Sequence, residues 1–349
     1  MKEAKTFSDV QIVPKYSEIE SRDDVDLTAQ FTMNYKIKIP LVAAPMDTVC
    51  DYNMAKALLE AGGVGVLHRW GSIEEEVLMV SKLRELAYAK EWSGSPIAAA
   101  IGVNGDSKER ALRLLIAGAN VLVIDVAHGH HKNVKEMIYY LMELRKSGRV
   151  FDIVAGSIAT YEAAQDLEEW GADALRVGVG AGSICETRIR TGIGIPQLES
   201  VLEAASVATI PIISDGGIRY PGDAAKALAA GADTVMIGSL FAGTDESPGE
   251  VFIGGVWPDN YPMKVYRGLA SATTKLKYSG AATHVEGASK MIESRGPVQK
   301  IISDITDGIK SSMSYVGAKN LEEFRDNATF VRITSAGLTE AFPHLLGDR

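Results

Sequence analysis

The chain has 349 residues, of which 46% are hydrophobic and 23% charged, and its formal net charge at pH 7 is −9. This composition is ordinary for a globular enzyme, and the acidic balance offers no basic face for nucleic acid or an anionic membrane. Two cysteines, Cys50 and Cys185, are too few for a disulfide framework. No apolar run approaches the roughly 18 residues of a membrane span. We therefore expect a cytoplasmic protein that binds neither nucleic acid nor membrane.

In chain order, residues 1–40 read as a leading segment with charged loops, and the first strong strand is predicted at 39–44, IPLVAA. A helix is predicted at 52–61, with Gly62 and Gly63 as its stop. A second buried strand follows at 64–68. The same unit then recurs, as a helix end, a glycine and an uninterrupted apolar strand. Further strands are predicted at 96–103, near 120, at 151–157, 174–177 and 210–217, and near 233.

Apolar strands that alternate with amphipathic helices indicate a parallel sheet covered on both faces. Eight such units predict a (β/α)₈ TIM barrel, which we take as a single catalytic domain over 1–349. The alternative is a doubly wound open sheet, which usually carries G-x-G-x-x-G after its first strand, and that motif is missing here.

The tail from about Gly249 has a different character. Residues 268–296 are polar and contain glycines, and we interpret them as a mobile flap over the site rather than an ordinary surface excursion. A helix is predicted from 298 to about 312. The run FVRITSAG at 330–337 resembles a late strand.

The stretch 175–197, LRVGVGAGSICETRIRTGIGIPQ, carries the candidate chemistry. Glycines at every second position, 178, 180 and 182, let the backbone approach a ligand closely. Cys185 follows at once, in a setting that suits a thiolate nucleophile. The alternative for Cys185 is a small hydrophobe in a turn, and the glycine loop favours the nucleophile. Cys50 is expected to be inert packing.

The run 175–187 resembles the signature loop of the IMP dehydrogenase and GMP reductase family. Similar motifs are PMDTV at 45–49, SDGGIRYPGD at 214–223 and YRG at 266–268, and the similarity extends from Phe7 almost to the C-terminus. The resemblance implies a barrel enzyme of purine metabolism that binds GMP or IMP, uses a nicotinamide cofactor and assembles as a homotetramer. It also implies that Cys185 attacks C2 of the purine to form a thioimidate.

Loops after strands 7 and 8 of such barrels commonly bind phosphate on backbone N–H groups. The residues predicted to do so are Gly216, Gly217, Gly238 and Ser239, with Ser183 reaching in from strand 6. Asp215 is predicted to accept hydrogen bonds from ribose hydroxyls, the alternative being an aspartate that caps a turn. By resemblance, Tyr266 and Gly268 complete the phosphate and base site, and Met46 packs against the purine.

The resemblance also assigns proton transfer to Thr187 and Glu286, the alternative for Glu286 being a surface carboxylate. The nicotinamide side is expected to involve Asp125, Arg176, Gly178 and Ser157, which stands where the family usually has asparagine. Carbonyls of Gly180, Gly182 and Cys185 match the potassium-binding loop of the family. A zinc site on His128, His130 and His131 is disfavoured, because no carboxylate partner is evident in the loop.

The direction of the reaction is the open question. Dehydrogenases of the family usually carry a regulatory domain after strand 2, and none is inserted here. They hydrolyse the thioimidate with an Arg-Tyr pair in the flap, whereas Tyr278 follows Lys277 here. In contrast, AHGHH, DGGIRYPGD and VRITSAGLTEAFPH resemble the dehydrogenase more. We predict NADPH-dependent reduction of GMP to IMP. The alternatives are NAD-dependent oxidation of IMP to XMP and a catalytically silent nucleotide-binding barrel.

Overall fold

The computed structural model describes residues 3–92, 94–255, 260–279 and 282–343. Its centre is a closed barrel of eight parallel strands, each paired with the next in sequence and the last paired with the first. The predicted (β/α)₈ barrel is therefore confirmed. In chain order the strands are Leu41–Ala43, Val64–Leu67, Ala98–Ile101, Val121–Ile124, Asp152–Ile158, Ala174–Val177, Ile212–Asp215 and Thr234–Ile237.

The strands read as uninterrupted apolar runs because both of their faces are covered. Every strand residue is buried except Asp215, which ends the seventh strand. One face of each strand fills the barrel and the other contacts the surrounding helices. In chain order these helices are Tyr52–Ala61, Ile73–Ala89, Ser107–Ala117, Lys132–Lys146, Tyr161–Trp170, Gln197–Ala205, Pro221–Ala229 and Val298–Tyr315.

The helix Val298–Tyr315 closes the ring, because it packs between Pro221–Ala229 and Tyr52–Ala61. It is the helix that belongs to the eighth strand, Thr234–Ile237, yet about sixty residues separate the two. The predicted flap is thus an insertion within the last βα unit. Loops that follow barrel strands lie at the catalytic face of such folds, so the insertion is placed over that face.

Local sequence explains the helix ends. The helix Tyr52–Ala61 begins where the side chain of Asp51 accepts a hydrogen bond from the Asn53 amide at 2.8 Å. It ends at Gly62, whose φ of 87° lies in the left-handed region that glycine adopts without strain. The predicted helix and stop are both confirmed. Such caps turn the chain sharply into the next barrel strand.

The first 40 residues contain more structure than the predicted charged loops. An antiparallel hairpin of Ala29–Thr32 and Tyr35–Ile37 covers the amino-terminal end of the barrel. There the Thr32 hydroxyl donates to Asp152 at 2.6 Å, and Asp152 begins the fifth barrel strand. This end is closed by the hairpin, so the opposite end remains for chemistry. The segment also contains the 3₁₀ turns Phe7–Asp9 and Arg22–Asp24.

The predicted flap, 268–296, belongs to a larger unit of sheet and helix that begins at Phe252, described here apart from residues 256–259, 280 and 281. An antiparallel sheet joins three strands, and a helix stands between the second and third. These elements are Phe252–Gly254, Tyr261–Arg267, Ala272–Ser279 and Ser289–Glu293. The sequence had indicated only a polar loop, because short flap elements carry little apolar periodicity.

The late strand predicted at 330–337 is wrong in its second half. Phe330–Arg332 pairs antiparallel with Val10–Ile12, but the chain then turns at Thr334 and forms the helix Ser335–Glu340. The Thr334 side chain accepts from the Gly337 amide at 3.1 Å and so caps this helix. The predicted helix after 298 is present and extends to Tyr315, and Leu321–Asn327 follows it. Residues 1–2, 93, 256–259, 280–281 and 344–349 of the predicted single domain lie outside the described residues.

None of the helices described is both long and apolar enough to cross a lipid bilayer.

Candidate active site

Cys185 lies on the loop after the sixth barrel strand, at the end where the strands' carboxyl termini open. Its side chain is exposed, whereas Cys50 is buried. Burial raises the pKa of the Cys50 thiol well above its ordinary value, which keeps it protonated and unreactive. The Cys185 Sγ lies 3.2 Å from the Thr187 Oγ1. Cys185 is therefore the cysteine available for chemistry.

The Thr187 hydroxyl connects Cys185 to a carboxylate. It donates to Glu286 Oε2 at 2.8 Å, while the Cys185 thiol is placed to donate to Thr187 Oγ1. Thiol, hydroxyl and carboxylate thus form a chain along which a proton can pass in either direction. Cys185 and Thr187 belong to the loop after the sixth strand, whereas Glu286 belongs to the flap. The structure thus brings the three predicted catalytic residues together.

Backbone hydrogen bonds seat the flap on the Cys185 loop. Gly287 forms an antiparallel bridge with Cys185 and a parallel bridge with Ser271. The amide of Ala288 donates to the Ile184 carbonyl at 3.1 Å, and the Glu186 amide donates to the Glu286 carbonyl at 2.8 Å. Since these bonds involve Glu286 and the two residues that follow it, its position is fixed by main chain as well as by side chain.

A second contact anchors the flap helix Ala272–Ser279 to the barrel. The Tyr278 hydroxyl donates to Asp47 at 3.1 Å, and its ring lies 5.5 Å from the ring of Trp70. Asp47 is buried, belongs to the PMDTV loop and also forms an ion pair with Arg267. Burial raises the pKa of Tyr278, so the phenol stays protonated and can donate.

The predicted nicotinamide side contains a buried charge cluster centred on Arg176. Its guanidinium donates to Asp125 at 2.8 Å and to Ser157 Oγ at 2.7 and 2.9 Å, and it lies 3.4 Å from Asp215. Burial alone would lower the pKa of Arg176, but the charges of Asp125 and Asp215 outweigh it and raise that pKa. Burial raises the pKa of Asp215, although Arg176 opposes the rise. The serine that replaces the usual asparagine thus holds Arg176 in place.

A cavity of about 320 Å³ adjoins Cys185 and the Arg176 cluster. This volume is typical of small-molecule sites. Predicted residues on its wall are Met46, Asp125, Ser157, Arg176, Gly178, Gly180, Gly182, Cys185, Thr187, Asp215, Tyr266, Gly268 and Glu286.

A second cavity, of about 290 Å³, shares Met46, Asp215 and Tyr266 with the first and extends toward strands 7 and 8. Predicted phosphate residues on its wall are Ser183, Gly216, Gly217, Gly238 and Ser239. The two cavities together form one continuous cleft across the catalytic face.

The phosphate end of the cleft depends on close backbone contacts. A Cβ on Gly216 would lie 2.9 Å from the Ala181 carbonyl carbon, and its φ of 95° is left-handed, so only glycine fits. The Tyr266 hydroxyl lies 3.3 Å from Ser183 Oγ, and burial raises its pKa. The residues predicted to bind phosphate are thus grouped, and their roles remain predictions.

Two candidate metal sites were considered from the sequence, a potassium site on the Cys185 loop and a zinc site on the histidine motif. The Gly182 carbonyl accepts from the Cys185 amide at 3.1 Å, which leaves a second lone pair for a cation. Among the described residues there is no cluster of three or more His, Cys, Asp or Glu side chains able to hold a metal. His130 does have a carboxylate partner, Asp166 at 2.7 Å, which the sequence did not reveal, and His131 caps the helix Lys132–Lys146.

Sequence reasoning missed several residues on the cleft wall, above all Arg69 and Trp70 after the second strand, and Lys275 in the flap. The Arg69 guanidinium carbon lies 4.7 Å from the centre of the Trp70 ring and its Nε lies 3.5 Å from Asp125 Oδ2. Lys275 donates to the Thr283 carbonyl at 2.6 Å and to that of His284. The position of Arg69 directly after a barrel strand was the available signal.

Comparison with known proteins agrees with this geometry. Residues 4–344 match the family model described as IMP dehydrogenase / GMP reductase domain. A Cryptosporidium parvum inosine-5'-monophosphate dehydrogenase is 37% identical, over 97% of this chain and 94% of its own. A Leishmania major GMP reductase is 31% identical, over 98% of this chain and 97% of its own.

A solved structure shares the whole fold. A Trypanosoma brucei GMP reductase in complex with guanosine 5'-monophosphate superposes with a TM-score of 0.89 and 31% identity, over 99% of this chain and 98% of its own. Fold and site together define a (β/α)₈-barrel enzyme in which an exposed cysteine is linked through the Thr187 hydroxyl to the Glu286 carboxylate. The chain belongs to the IMP dehydrogenase / GMP reductase family, whose members are oxidoreductases that use NAD(P)H.

Proposed function

We propose that the chain reduces GMP to IMP and ammonia with NADPH, through a covalent bond between Cys185 and the purine. The observation that carries the proposal is the relay from Cys185 through Thr187 to Glu286, with distances of 3.2 and 2.8 Å. A departing amino group needs a proton, and this relay can supply one to a group bound beside the sulfur atom.

In the first step, Cys185 Sγ bonds to C2 of the purine and the C2–N bond breaks. Thr187 takes the thiol proton while passing its own proton to Glu286, which activates the sulfur as a nucleophile. The same proton then returns through Thr187 to the departing amino group, which leaves as ammonia. This first step consumes no net proton, because the thiol supplies the third hydrogen of ammonia.

NADPH, when bound, supplies the hydride that replaces sulfur at C2. The Cys185 thiolate then leaves, which completes IMP, and one proton from solvent, passed through Glu286 and Thr187, restores the thiol. The residues near the sulfur fit a nicotinamide, because the buried indole nitrogen of Trp70 on the cleft wall has no hydrogen-bond partner among the described residues. Arg69 Nε and Asp125 Oδ2 form an ion pair at 3.5 Å but make no hydrogen bond there. A carboxamide, with two donors and one acceptor, could satisfy such atoms.

The flap favours reduction over the dehydrogenase reaction, which must activate a water molecule. Residues 268–294 contain no arginine. The arginines on either side are engaged elsewhere, since Arg267 pairs with Asp47 and Arg295 donates to the carbonyls of Ser239 and Leu240. The flap lysine on the cleft wall, Lys275, is held by two backbone carbonyls. No arginine base is thus positioned at Cys185 by the described flap.

The missing regulatory insertion, in contrast, does not separate the two reactions. The alignment with the Leishmania GMP reductase extends over 481 positions, more than the 349 residues of this chain, and therefore requires long gaps. The alignment with the Cryptosporidium dehydrogenase needs only 388. A protein named GMP reductase thus needs long gaps and a dehydrogenase only shorter ones, so the choice between the two reactions depends on the flap chemistry.

Absorbance at 340 nm tests the proposal directly. The protein with GMP and NADPH is expected to consume NADPH and release one ammonia per NADPH, whereas IMP with NAD is expected to give no increase. An increase with IMP and NAD, and no decrease with GMP and NADPH, would establish the dehydrogenase instead. Silence in both mixtures, with nucleotide still bound, would indicate a binding protein.

Three further expectations accompany the proposal. Carbonyls of Gly180, Gly182 and Cys185 would hold potassium, which a comparison of activity in potassium and sodium salts tests. A homotetramer would be measured by sedimentation. Cytoplasmic location follows from the absence of a disulfide framework in the sequence and is tested by fractionation.

A further inference from the structure

Arg188 lies directly beneath the Cys185 loop and joins its two ends. It belongs to the short helix Thr187–Thr191, and its side chain turns back toward the barrel. The guanidinium donates to the Val179 carbonyl, at 3.3 Å from Nε and 3.1 Å from the terminal nitrogen, and to the Ile195 carbonyl at 2.5 Å. Val179 precedes Cys185 and Ile195 follows it, so one planar group bridges the start and the end of the loop.

Two of the loop glycines make room for this side chain. A Cβ on Gly180 would lie 2.7 Å from Arg188 Cγ, and a Cβ on Gly194 would lie 2.7 Å from both its Cγ and its Nε. Contacts this short require one of the groups to move. The glycine pattern that the sequence associates with a ligand therefore also encloses the stem of Arg188.

The electrostatic setting of Arg188 is unusual for a cation. It is half-buried, and among the described residues no ion pair joins it to a carboxylate. Burial lowers the pKa of Arg188, and the nearby Cys185 opposes that change. Arginine remains charged even so. Taking a cation partly out of water without a carboxylate partner is costly, and the cost is reasonable where the shape of a catalytic loop depends on it.

We propose that Arg188 is a positioning residue, which clamps Val179 to Ile195 so that Cys185 stays within reach of Thr187 and faces the cleft. The inference rests on the proposed function for its assay and not for its geometry. Arg188 also lines the phosphate end of the cleft. Direct contact with the nucleotide phosphate is therefore the competing role, and it makes a different kinetic prediction.

The test is chemical rescue of Arg188→Ala. Loss of the clamp should lower kcat by about 100-fold with little change in the KM for GMP, since small displacements of a reacting group have effects of this size. Added guanidinium ion should restore part of kcat in a saturable manner, and methylammonium should not, because it lacks the planar fork. Arg190→Ala is the matched control, since Arg190 is on the same helix, is exposed and pairs with Glu186.

Two further variants keep the proposal testable if Arg188→Ala folds poorly. Arg188→Lys retains charge but cannot bridge both carbonyls, so kcat should stay low. Gly194→Ala should mimic the loss by displacing Arg188, whereas Gly222→Ala, which meets nothing within 4 Å, should be neutral.

The proposal is overturned if Arg188→Ala raises KM while leaving kcat unchanged, if guanidinium gives no rescue of a folded variant, or if Arg188→Lys is fully active. Wild-type protein is assayed in parallel for reduction of GMP with NADPH and for oxidation of IMP with NAD. If it oxidises IMP instead, the same loss and rescue are expected in that reaction, so failure of the proposed function is distinguished from failure of the clamp.

Discussion

The Thr187 hydroxyl donates to the Glu286 carboxylate at 2.8 Å, although 99 positions of sequence separate the two residues. In the proposed mechanism, this bond makes Glu286 the end of the proton path from Cys185. Glu286→Gln keeps a hydrogen-bonding side chain but cannot take up a proton, so kcat with GMP and NADPH should fall by about 100-fold or more. Rapid-quench measurement of ammonia should locate the loss in the first step.

Glu293→Gln serves as the control for this prediction, since Glu293 is an exposed carboxylate on the last strand of the same flap. It should retain wild-type kcat. Normal ammonia release by Glu286→Gln would remove the carboxylate from the mechanism.

Tyr278 should hold the flap helix on the barrel through its hydroxyl. Tyr278→Phe keeps the ring beside Trp70 but loses the 3.1 Å hydrogen bond to Asp47, a loss of about 1–2 kcal/mol. Amide hydrogen exchange of 272–279 should accelerate by about 5- to 30-fold. Tyr261→Phe, at an exposed position of the flap sheet, should leave that exchange unchanged. Equal exchange in both variants would show that the flap is held by its backbone contacts alone.

Arg176 balances the buried carboxylate of Asp125 and the half-buried carboxylate of Asp215, so its charge should be important for stability. Arg176→Gln removes the cation that Asp125 and Asp215 share, leaves Asp125 only its 3.5 Å pair with Arg69, and should lower the free energy of unfolding by about 3–5 kcal/mol. Adding Asp125→Asn to that variant should recover part of the loss, because one of the repelling charges is removed. Urea unfolding measures both effects.

Arg190→Gln is the comparison for Arg176, because it removes an exposed pair and should cost at most about 1 kcal/mol. Similar decreases in the free energy of unfolding for Arg176→Gln and Arg190→Gln would contradict a stabilising role for the charge of Arg176.

His68 should make the protein sensitive to acid. It follows the second barrel strand, and its Nδ1 accepts a hydrogen bond from the Trp70 amide at 3.2 Å. Burial lowers the pKa of His68 from its ordinary value of 6.5. Below pH 6.5 the unfolded chain therefore binds a proton that the folded chain does not. The free energy of unfolding should fall as pH decreases from that value toward the lowered pKa of the folded state.

Urea midpoints measured across this pH range test the role of His68. The decrease should be smaller in His68→Gln and unchanged in His284→Gln, whose histidine is exposed. A wild-type slope in His68→Gln would assign the acid sensitivity to other groups.

Much of the barrel and of the site followed from local sequence. Strands covered on both faces must be apolar throughout, which made all eight visible. The site was indicated by glycines in the segments 178–185 and 216–217. Other residues rarely adopt the left-handed backbone that such turns require.

What the sequence did not reveal depends on contacts between distant segments. Arg69 pairs with Asp125, and the Trp70 ring contacts that of Tyr278. No local sequence pattern predicts either contact. The flap helix Ala272–Ser279 is stabilised by docking rather than by its own periodicity. The false strand after Arg332 had strand-forming residues, and the cap at Thr334 outweighed them.

Mass spectrometry of acid-quenched reactions tests the central claim most directly. Wild-type protein mixed with GMP should yield a peptide in which residue 185 carries the purine nucleotide, and NADPH should discharge it as IMP. Cys185→Ala should show neither adduct nor turnover. Turnover at the wild-type rate by Cys185→Ala, or an adduct on another residue, would contradict covalent catalysis by this sulfur.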